Sequence, residues 1–413
     1  MLKEIFIENY KSLKNAKVEF KEGLNIIIGK NGSGKSNLLE FLSKVIGTEI
    51  FFNKQDFSNQ RFPENNFSYI FYYNDNFDNQ NELVVKLPSD EPINTTNGRT
   101  ILISQKHKDG HQLNDKTVFS DGNFYKLNDK IQLSSGSVSP GVSEFSTVLF
   151  ILSRINGLSN KYLKFDTPTD IYWLDIPNTI TIDTSFGAIL ENENTYNYLF
   201  SFSFQYYLQN KLIEKTFDTS DNTILETIKS FLFNSFIEYK DDINIDKVLL
   251  SFTSIEDIRI NNNTNIHKLD DKILIENLTF DFKINDSWIP WSYLSDGTKR
   301  LFYLISEINS CKNGVILIEE PELGIHPHQL YKLMQFIKEQ SEDKQIIIST
   351  HSPLILDSLQ SNELDRIIVA KIENGSSKFE RLSENQIAIA KKYMEEVNDL
   401  SYYWLHSDLE END

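Results

Sequence analysis

Eight residues near the N-terminus constrain this chain more than any others: Gly29-Lys30-Asn31-Gly32-Ser33-Gly34-Lys35-Ser36. They fit the phosphate-loop pattern G-x-x-x-x-G-K-[ST] without a mismatch. Ahead of them, Leu24-Asn25-Ile26-Ile27-Ile28 has the β-branched apolar character of a buried strand. Behind them, Leu38, Leu39, Phe41 and Leu42, with Val45 and Ile46 a turn later, recur at the spacing of one apolar helix face. Strand, glycine loop and helix aim backbone N–H groups and the positive end of a helix at a phosphate chain. Lys35 then reaches the β/γ-phosphates and the Ser36 hydroxyl ligates Mg²⁺. Asn31, Gly32, Ser33, Gly34 and Asn37 complete the expected phosphate site. The stretch predicts a nucleoside triphosphate ligand.

A chain of 413 residues is long enough for two or three cores, since single cores stop growing near about 250–300 residues. It has no run of about 18 apolar residues, so no membrane span is expected. Met1-Leu2-Lys3-Glu4-Ile5-Phe6-Ile7 alternates and carries an acid, which reads as a strand and not a signal peptide. The single cysteine, Cys311, excludes intramolecular disulfides and zinc clusters and fits a cytoplasmic setting. The net charge of −19 argues against a nonspecific nucleic-acid coat, whose affinity comes from neutralising phosphates.

Strands are expected at 2–7 and 24–28, and a helix at 36–46. From 59 to 140, Asn, Asp, Gly and Ser clusters interrupt short β-type runs such as Tyr69–Tyr73, Leu83–Val85 and Thr100–Ile103, which predicts antiparallel hairpins. Helices are expected at 144–158 and 195–216, with loop and short strand at 166–185. In 222–240, Ile224, Ile228, Phe231, Leu232, Ser235 and Phe236 share one helical face, with Asp221 as a candidate cap. β-type runs are expected at 246–260 and 273–284. The final third alternates: helix 298–309, strand 315–318, helix 328–341, strand 346–348, helix 353–359, strand 367–369. That pattern implies a mostly parallel sheet covered on both faces, joined by the phosphate-loop strand. A helical acidic tail, 384–413, follows. No heptad is sustained and no internal repeat is present.

Three further stretches carry chemistry. Val315-Ile316-Leu317-Ile318-Glu319-Glu320 ends a buried strand in two carboxylates, at the edge where ligands of open α/β sheets bind. Glu319 is placed to hold Mg²⁺, and Glu320 to polarise the water that attacks a γ-phosphate. Leu294-Ser295-Asp296-Gly297 precedes a helix and offers a hydroxyl, free N–H groups and a dipole, although an ordinary helix cap has the same form. Ile348-Ser349-Thr350-His351-Ser352-Pro353 puts a histidine directly after a buried strand. That histidine is either structural or a ligand for phosphate and water.

In order and spacing these stretches resemble the ABC-type ATPase heads of the RecF, SMC and OLD group, often called AAA ATPases. Gly29–Ser36 is similar to Walker A, Leu294–Gly297 to the signature motif and Ile316–Glu320 to Walker B. Pro321–Pro327 is similar to the D-loop, and His351 to the switch histidine. Asn9-Tyr10-Lys11-Ser12 resembles the segment whose basic residue, here Lys11, approaches nucleotide phosphates. The E-E-P-E-x-x-x-H-P form followed by STHSP is particularly similar to OLD-like anti-phage defence ATPases, of which the PARIS and Septu subunits match best in style. Glu319 stands where the wider ABC family has Asp. Gln55, Gln105 and Gln132 are all candidates for the Q-loop glutamine.

The resemblance implies an α/β fold: an ABC-ATPase-like P-loop core with an antiparallel β lobe and an inserted helical subdomain, without a coiled coil. Its expected divisions are 1–140, 141–245, 246–383 and 384–413. It implies ATP and Mg²⁺ as cofactors, Glu320 and His351 as catalytic residues, Ser36 and Glu319 as metal ligands, and Ser295, Asp296 and Gly297 acting on a partner's nucleotide. The expected unit is therefore a homodimer, or a larger homo-oligomer, closed through ATP. OLD nucleases carry a nuclease domain after the head, whereas only residues 370–413 follow the last expected strand. A separate nuclease or toxin-like effector is the expected partner. A RecF-like repair head clamping DNA is the second reading. A transporter subunit, the third, is disfavoured by the E-E-P-E form.

Overall fold

The computed structural model describes residues 1–46, 68–74, 80–86, 100–107, 112–121, 124–127, 131–133, 160–164, 178–183, 188–191, 207–208, 211, 223–242, 245–269, 272–311, 314–396 and 399–406. Strands β1 (Leu2–Tyr10), β2 (Leu13–Glu19) and β3 (Leu24–Ile28) lead into helix α1 (Lys35–Ile46). Six strands follow: β4 (Ser68–Asn74), β5 (Gln80–Lys86), β6 (Thr100–His107), β7 (Gln112–Asp121), β8 (Phe124–Leu127) and β9 (Ile131–Leu133). Next are β10 (Asn160–Leu163), β11 (Asn178–Asp183), β12 (Ala188–Glu191), α2 (Ile224–Asp242) and α3 (Ile245–Phe252). Strands β13 (Asp257–Ile260), β14 (Asn265–Leu269), β15 (Lys272–Leu278), β16 (Phe280–Ile284) and β17 (Ser287–Pro290) precede α4 (Asp296–Ser310). The last part runs β18 (Val315–Glu319), α5 (Pro327–Gln340), β19 (Gln345–Thr350), β20 (Ile367–Glu373), β21 (Ser376–Arg381), α6 (Glu384–Glu396) and α7 (Leu400–His406).

The chain divides into two compact units. One comprises 1–164, 313–322 and 334–413, the other 165–312 and 323–333. The first holds a six-stranded sheet in the order β10-β18-β19-β3-β20-β21, parallel except for β21. Every residue of β3, β18 and β19 is buried, as parallel strands covered on both faces must be. Register places Ile28 opposite Thr350 and Glu319 opposite Ser349, so three strand ends meet at one edge. Helix α1 packs on β10, β18 and β19 through Leu38, Leu39 and Leu42, all fully buried. The fully buried Gln345 accepts from Leu2 N–H at 2.7 Å and donates to Leu2 O at 2.7 Å and Lys21 O at 2.9 Å. One amide thereby ties the N-terminal strand to the C-terminal third with its polar groups satisfied. The same unit holds an eight-stranded antiparallel sheet, β2-β1-β4-β5-β6-β7-β8-β9, the expected hairpins among them.

The second unit contains two antiparallel sheets, β12-β11-β15-β14 and β13-β16-β17. Helix α2 buries Ile224, Ile228, Phe231, Leu232, Ser235 and Phe236, the six residues of the expected face. Phe236 stacks on Phe280 with centroids 5.0 Å apart. Phe282, Trp291 and Phe302 form a ring cluster at 5.2–5.4 Å that seats α4.

Three expectations are corrected. The run beginning at 246 is helix over 245–252, and only Asp257–Ile260 is strand. Its β-branched composition suggests a strand, but Leu249 and Phe252 are buried while Leu250 is exposed, the signature of a helical period. The segment after His351 is a 3₁₀ helix, Pro353–Ser358 and not an α-helix, with Leu359 N–H donating to Leu356 O at 3.0 Å. The segment Leu13–Glu19, with no expected element, forms the second arm of a hairpin, β2. The stretch 141–245 carries β10, β11 and β12 besides α2. The helix expected at 144–158, the cap Asp221 and Gln55 lie outside the described residues, as does most of 195–216. Residues 207–208 and 211, in that stretch, are helical. Gln105 and Gln132 lie in β6 and β9. Among the described residues the longest helix is the 19-residue α2, and no helix is long and apolar enough to cross a membrane.

Candidate nucleotide site

The loop Gly29–Gly34 leaves the C-terminal end of β3 and enters α1. Two of its glycines are dictated by close approach. A Cβ on Gly29 would overlap the Ala370 carbonyl of β20. A Cβ on Gly34, whose φ is +95°, would overlap Ser377 Oγ and lie 2.8 Å from Ser12 Oγ. A Cβ on Gly32 would meet nothing within 4 Å, so this part of the loop is open to an approaching group. Lys35 is buried, and its Nζ donates to Gly29 O at 2.6 Å, Lys30 O at 3.1 Å and Ser33 Oγ at 3.4 Å. Three acceptors match the three donors of the ammonium. Asn31, Gly32 and Ser36 are exposed, Ser33 and Gly34 are buried, and Asn37 is half-buried.

Glu319 ends β18 and is buried. Its Oε2 accepts from the Tyr162 hydroxyl at 2.6 Å and lies 3.9 Å from Lys164 Nζ. Glu320 has φ +49°, a left-handed backbone that carries strain in a non-glycine residue. Its N–H donates to Ser349 O at 2.8 Å, and its Oε1 pairs with His351 Nε2. The phosphate loop, both carboxylates and His351 therefore share one end of the parallel sheet.

In the other unit, Ser295 caps α4. Its Oγ accepts from Thr298 N–H at 3.2 Å and lies 2.8 Å from Thr298 Oγ1. Ser295 and Asp296 are exposed, and a Cβ on Gly297 would come 2.7 Å from Gly324 O. Arg300 donates to Leu323 O at 2.8 Å, which fixes the start of α4 to the segment after Walker B.

Sequence reasoning missed two features. Tyr162 and Lys164 belong to and follow a four-residue strand too short to show a period, so no signal marked them. Ser12 meets the loop region: Asn37 Nδ2 donates to Ser12 Oγ at 2.8 Å and Ser377 Oγ donates to it at 2.8 Å. Lys11, at φ +49°, pairs with Glu40 of α1.

The model of the family described as "AAA domain, putative AbiEii toxin, Type IV TA system" matches residues 24–357. The chain belongs to that family. Among relatives of this AAA protein, an "ATP/GTP phosphatase" of Helicobacter pylori is 23% identical, with 98% of both chains aligned. The "Retron Vc95 probable ATPase" of Vibrio cholerae is 25% identical over 88% of this chain and 72% of that one. The "Septu protein PtuA" of Bacillus thuringiensis is 38% identical, but over only 21% of this chain and 26% of its own length. An SMC head solved bound to the C-winged helix domain of ScpA covers 94% of this chain and 99% of its own, with 16% identity and a TM-score of 0.49. Membership makes the chain an AAA-domain ATPase.

The donors present fit magnesium nucleotide. Glu319 and Ser36 supply hard oxygens, the ligand type Mg²⁺ takes, and the loop supplies N–H groups and one buried ammonium for phosphates.

Proposed function

We propose that this AAA protein binds ATP with Mg²⁺ at the sheet edge and hydrolyses it. In this reading two copies close over the nucleotide, and the cycle switches a separate effector in anti-phage defence. The pairing of Glu320 with His351 beside the phosphate loop carries the reading. Magnesium, when bound, supplies charge neutralisation on the phosphates. Lys35 exchanges its loop carbonyls for phosphate oxygens, and Asn31, Gly32, Ser33, Gly34 and Asn37 line the chain of phosphates. Ser36 and Glu319 hold the metal. Glu320 accepts the proton of the attacking water, and His351 orients that water and steadies the carboxylate.

Ser295, Asp296 and Gly297 are exposed or half-exposed at a helix start, where a second copy's γ-phosphate can be met. An interface cemented by ATP and released by hydrolysis is a two-state device. The resemblance to defence ATPases that work beside distinct effectors supports the last step.

The test measures ATP turnover and mass in solution. Lys35→Ala should abolish nucleotide binding. Glu320→Gln should cut turnover at least 100-fold, on the order expected for a lost general base, and trap a dimer with ATP. Full turnover by Glu320→Gln, or a strict monomer with ATP, would refute the reading. DNA binding that needs ATP and weakens steeply with salt would instead favour a clamping role.

A further inference from the structure

We propose that Glu322 is a positioning residue that sets His351 against Glu320; the inference rests on the hydrolytic reading of that pair. Glu322 follows Glu320 across Pro321, whose fixed φ restricts the backbone between the two acids. Its Oε1 accepts from Thr350 Oγ1 at 2.6 Å and from Ser352 N–H at 3.3 Å. These two residues flank His351. Thr350 Oγ1 also accepts from Ser352 N–H at 2.8 Å, closing a tight turn around the histidine. One segment thus grips one residue twice: Glu320 holds the imidazole, and Glu322 holds the Thr350 hydroxyl before it and the Ser352 N–H after it.

The second oxygen supports a purpose beyond packing. Glu322 Oε2 is buried and has no hydrogen-bond partner among the described residues. A buried, unsatisfied carboxylate oxygen costs about 1–3 kcal/mol. A Leu would bury at that spot without an unpaired polar atom. Burial also holds the Glu322 carboxyl above its ordinary range, opposed by the Thr350 hydrogen bond, with Glu320 and His351 the charged neighbours. Misplacing a reacting group by about 1 Å can cost roughly 100-fold in rate, so a clamp at this point governs turnover without touching ATP.

The test compares steady-state ATP turnover by Glu322→Ala, Glu322→Gln, Thr350→Val and His351→Ala, and by Glu322→Ala and Thr350→Val each combined with His351→Ala. Expected are a roughly 10- to 100-fold loss of kcat in Glu322→Ala with KM for ATP within about twofold, and near-complete rescue in Glu322→Gln, which keeps Oε1. In the His351→Ala background neither Glu322→Ala nor Thr350→Val should lower kcat further, because both act through the histidine. Thr350→Val keeps the shape of the site, so it carries the test alone should Glu322→Ala fail to fold. Additive losses, or a wild-type kcat in both Glu322→Ala and Thr350→Val, would overturn the inference and leave the hydrolytic pair standing. Wild-type turnover in His351→Ala and Glu320→Gln would overturn both.

Discussion

Replacing Gly34 by Ala gives the most quantitative test of how the phosphate loop is built. At φ +95° an L-residue costs about 1–2 kcal/mol in backbone strain. The new methyl would overlap Ser377 Oγ and sit 2.8 Å from both Ser377 Cβ and Ser12 Oγ, so the loop or strand β21 must shift. Overpacking of that kind costs about 1–3 kcal/mol. The sum, about 2–5 kcal/mol, is a large part of the roughly 5–15 kcal/mol that holds a domain folded. Denaturant unfolding should therefore show a markedly lower midpoint, and titration with Mg·ATP at least a tenfold weaker Kd. Adding Ser377→Gly removes two of the three clashes. The double variant should regain part of the packing cost, since the Ser12 contact remains, and retain the backbone part. Gly34→Ala with wild-type stability and ATP affinity would refute the reasoning. So would a double variant whose losses add within about 0.5 kcal/mol.

The left-handed backbone of Glu320 predicts a trade of stability against activity: Glu320→Gly should unfold about 1 kcal/mol later than wild type while losing turnover, checked by melting and phosphate release. Tyr162→Phe removes the hydroxyl that orients Glu319, so the Mg²⁺ needed for half-maximal turnover should rise roughly tenfold, as for other groups behind a metal ligand. Glu322 has a folded pKa above its ordinary 4.5, so its protonated form is the stabilising one. That contribution is present below 4.5 and is lost as pH rises through the folded value. The stability of wild type relative to Glu322→Gln should accordingly fall as pH rises above 4.5, measured by denaturant midpoints across pH.

The nucleotide half of the fold was legible because each motif is local and its chemistry demands fixed spacing. Gly29–Ser36, the Ile-rich strand before it and the carboxylates after Val315–Ile318 announce themselves within a dozen residues. The helical face of α2 was equally plain, since six buried positions repeat at one period. Contacts made across long separations were not. Nothing near Ser377 tells that it meets Ser12, or near Tyr162 that it meets Glu319, because the partners lie on other strands. The helix α3 was misread as strand because Ile, Val and Leu serve both structures, and eight residues barely exceed two turns. Ser12, beside the charged Lys11, carries no local signal of its own, yet its hydroxyl accepts from Asn37 at the start of α1.

The amide of Gln345 grips Leu2 across 343 positions of chain. On a ribosome adding about 5–20 residues each second, the loop strand β3, whose sheet neighbours are β19 and β20, waits roughly 16–64 s for the first of them to be made. Until then β3 presents two unsatisfied edges and bare isoleucines to the cell. Synonymous codons that slow the last third should therefore lower the yield of native protein.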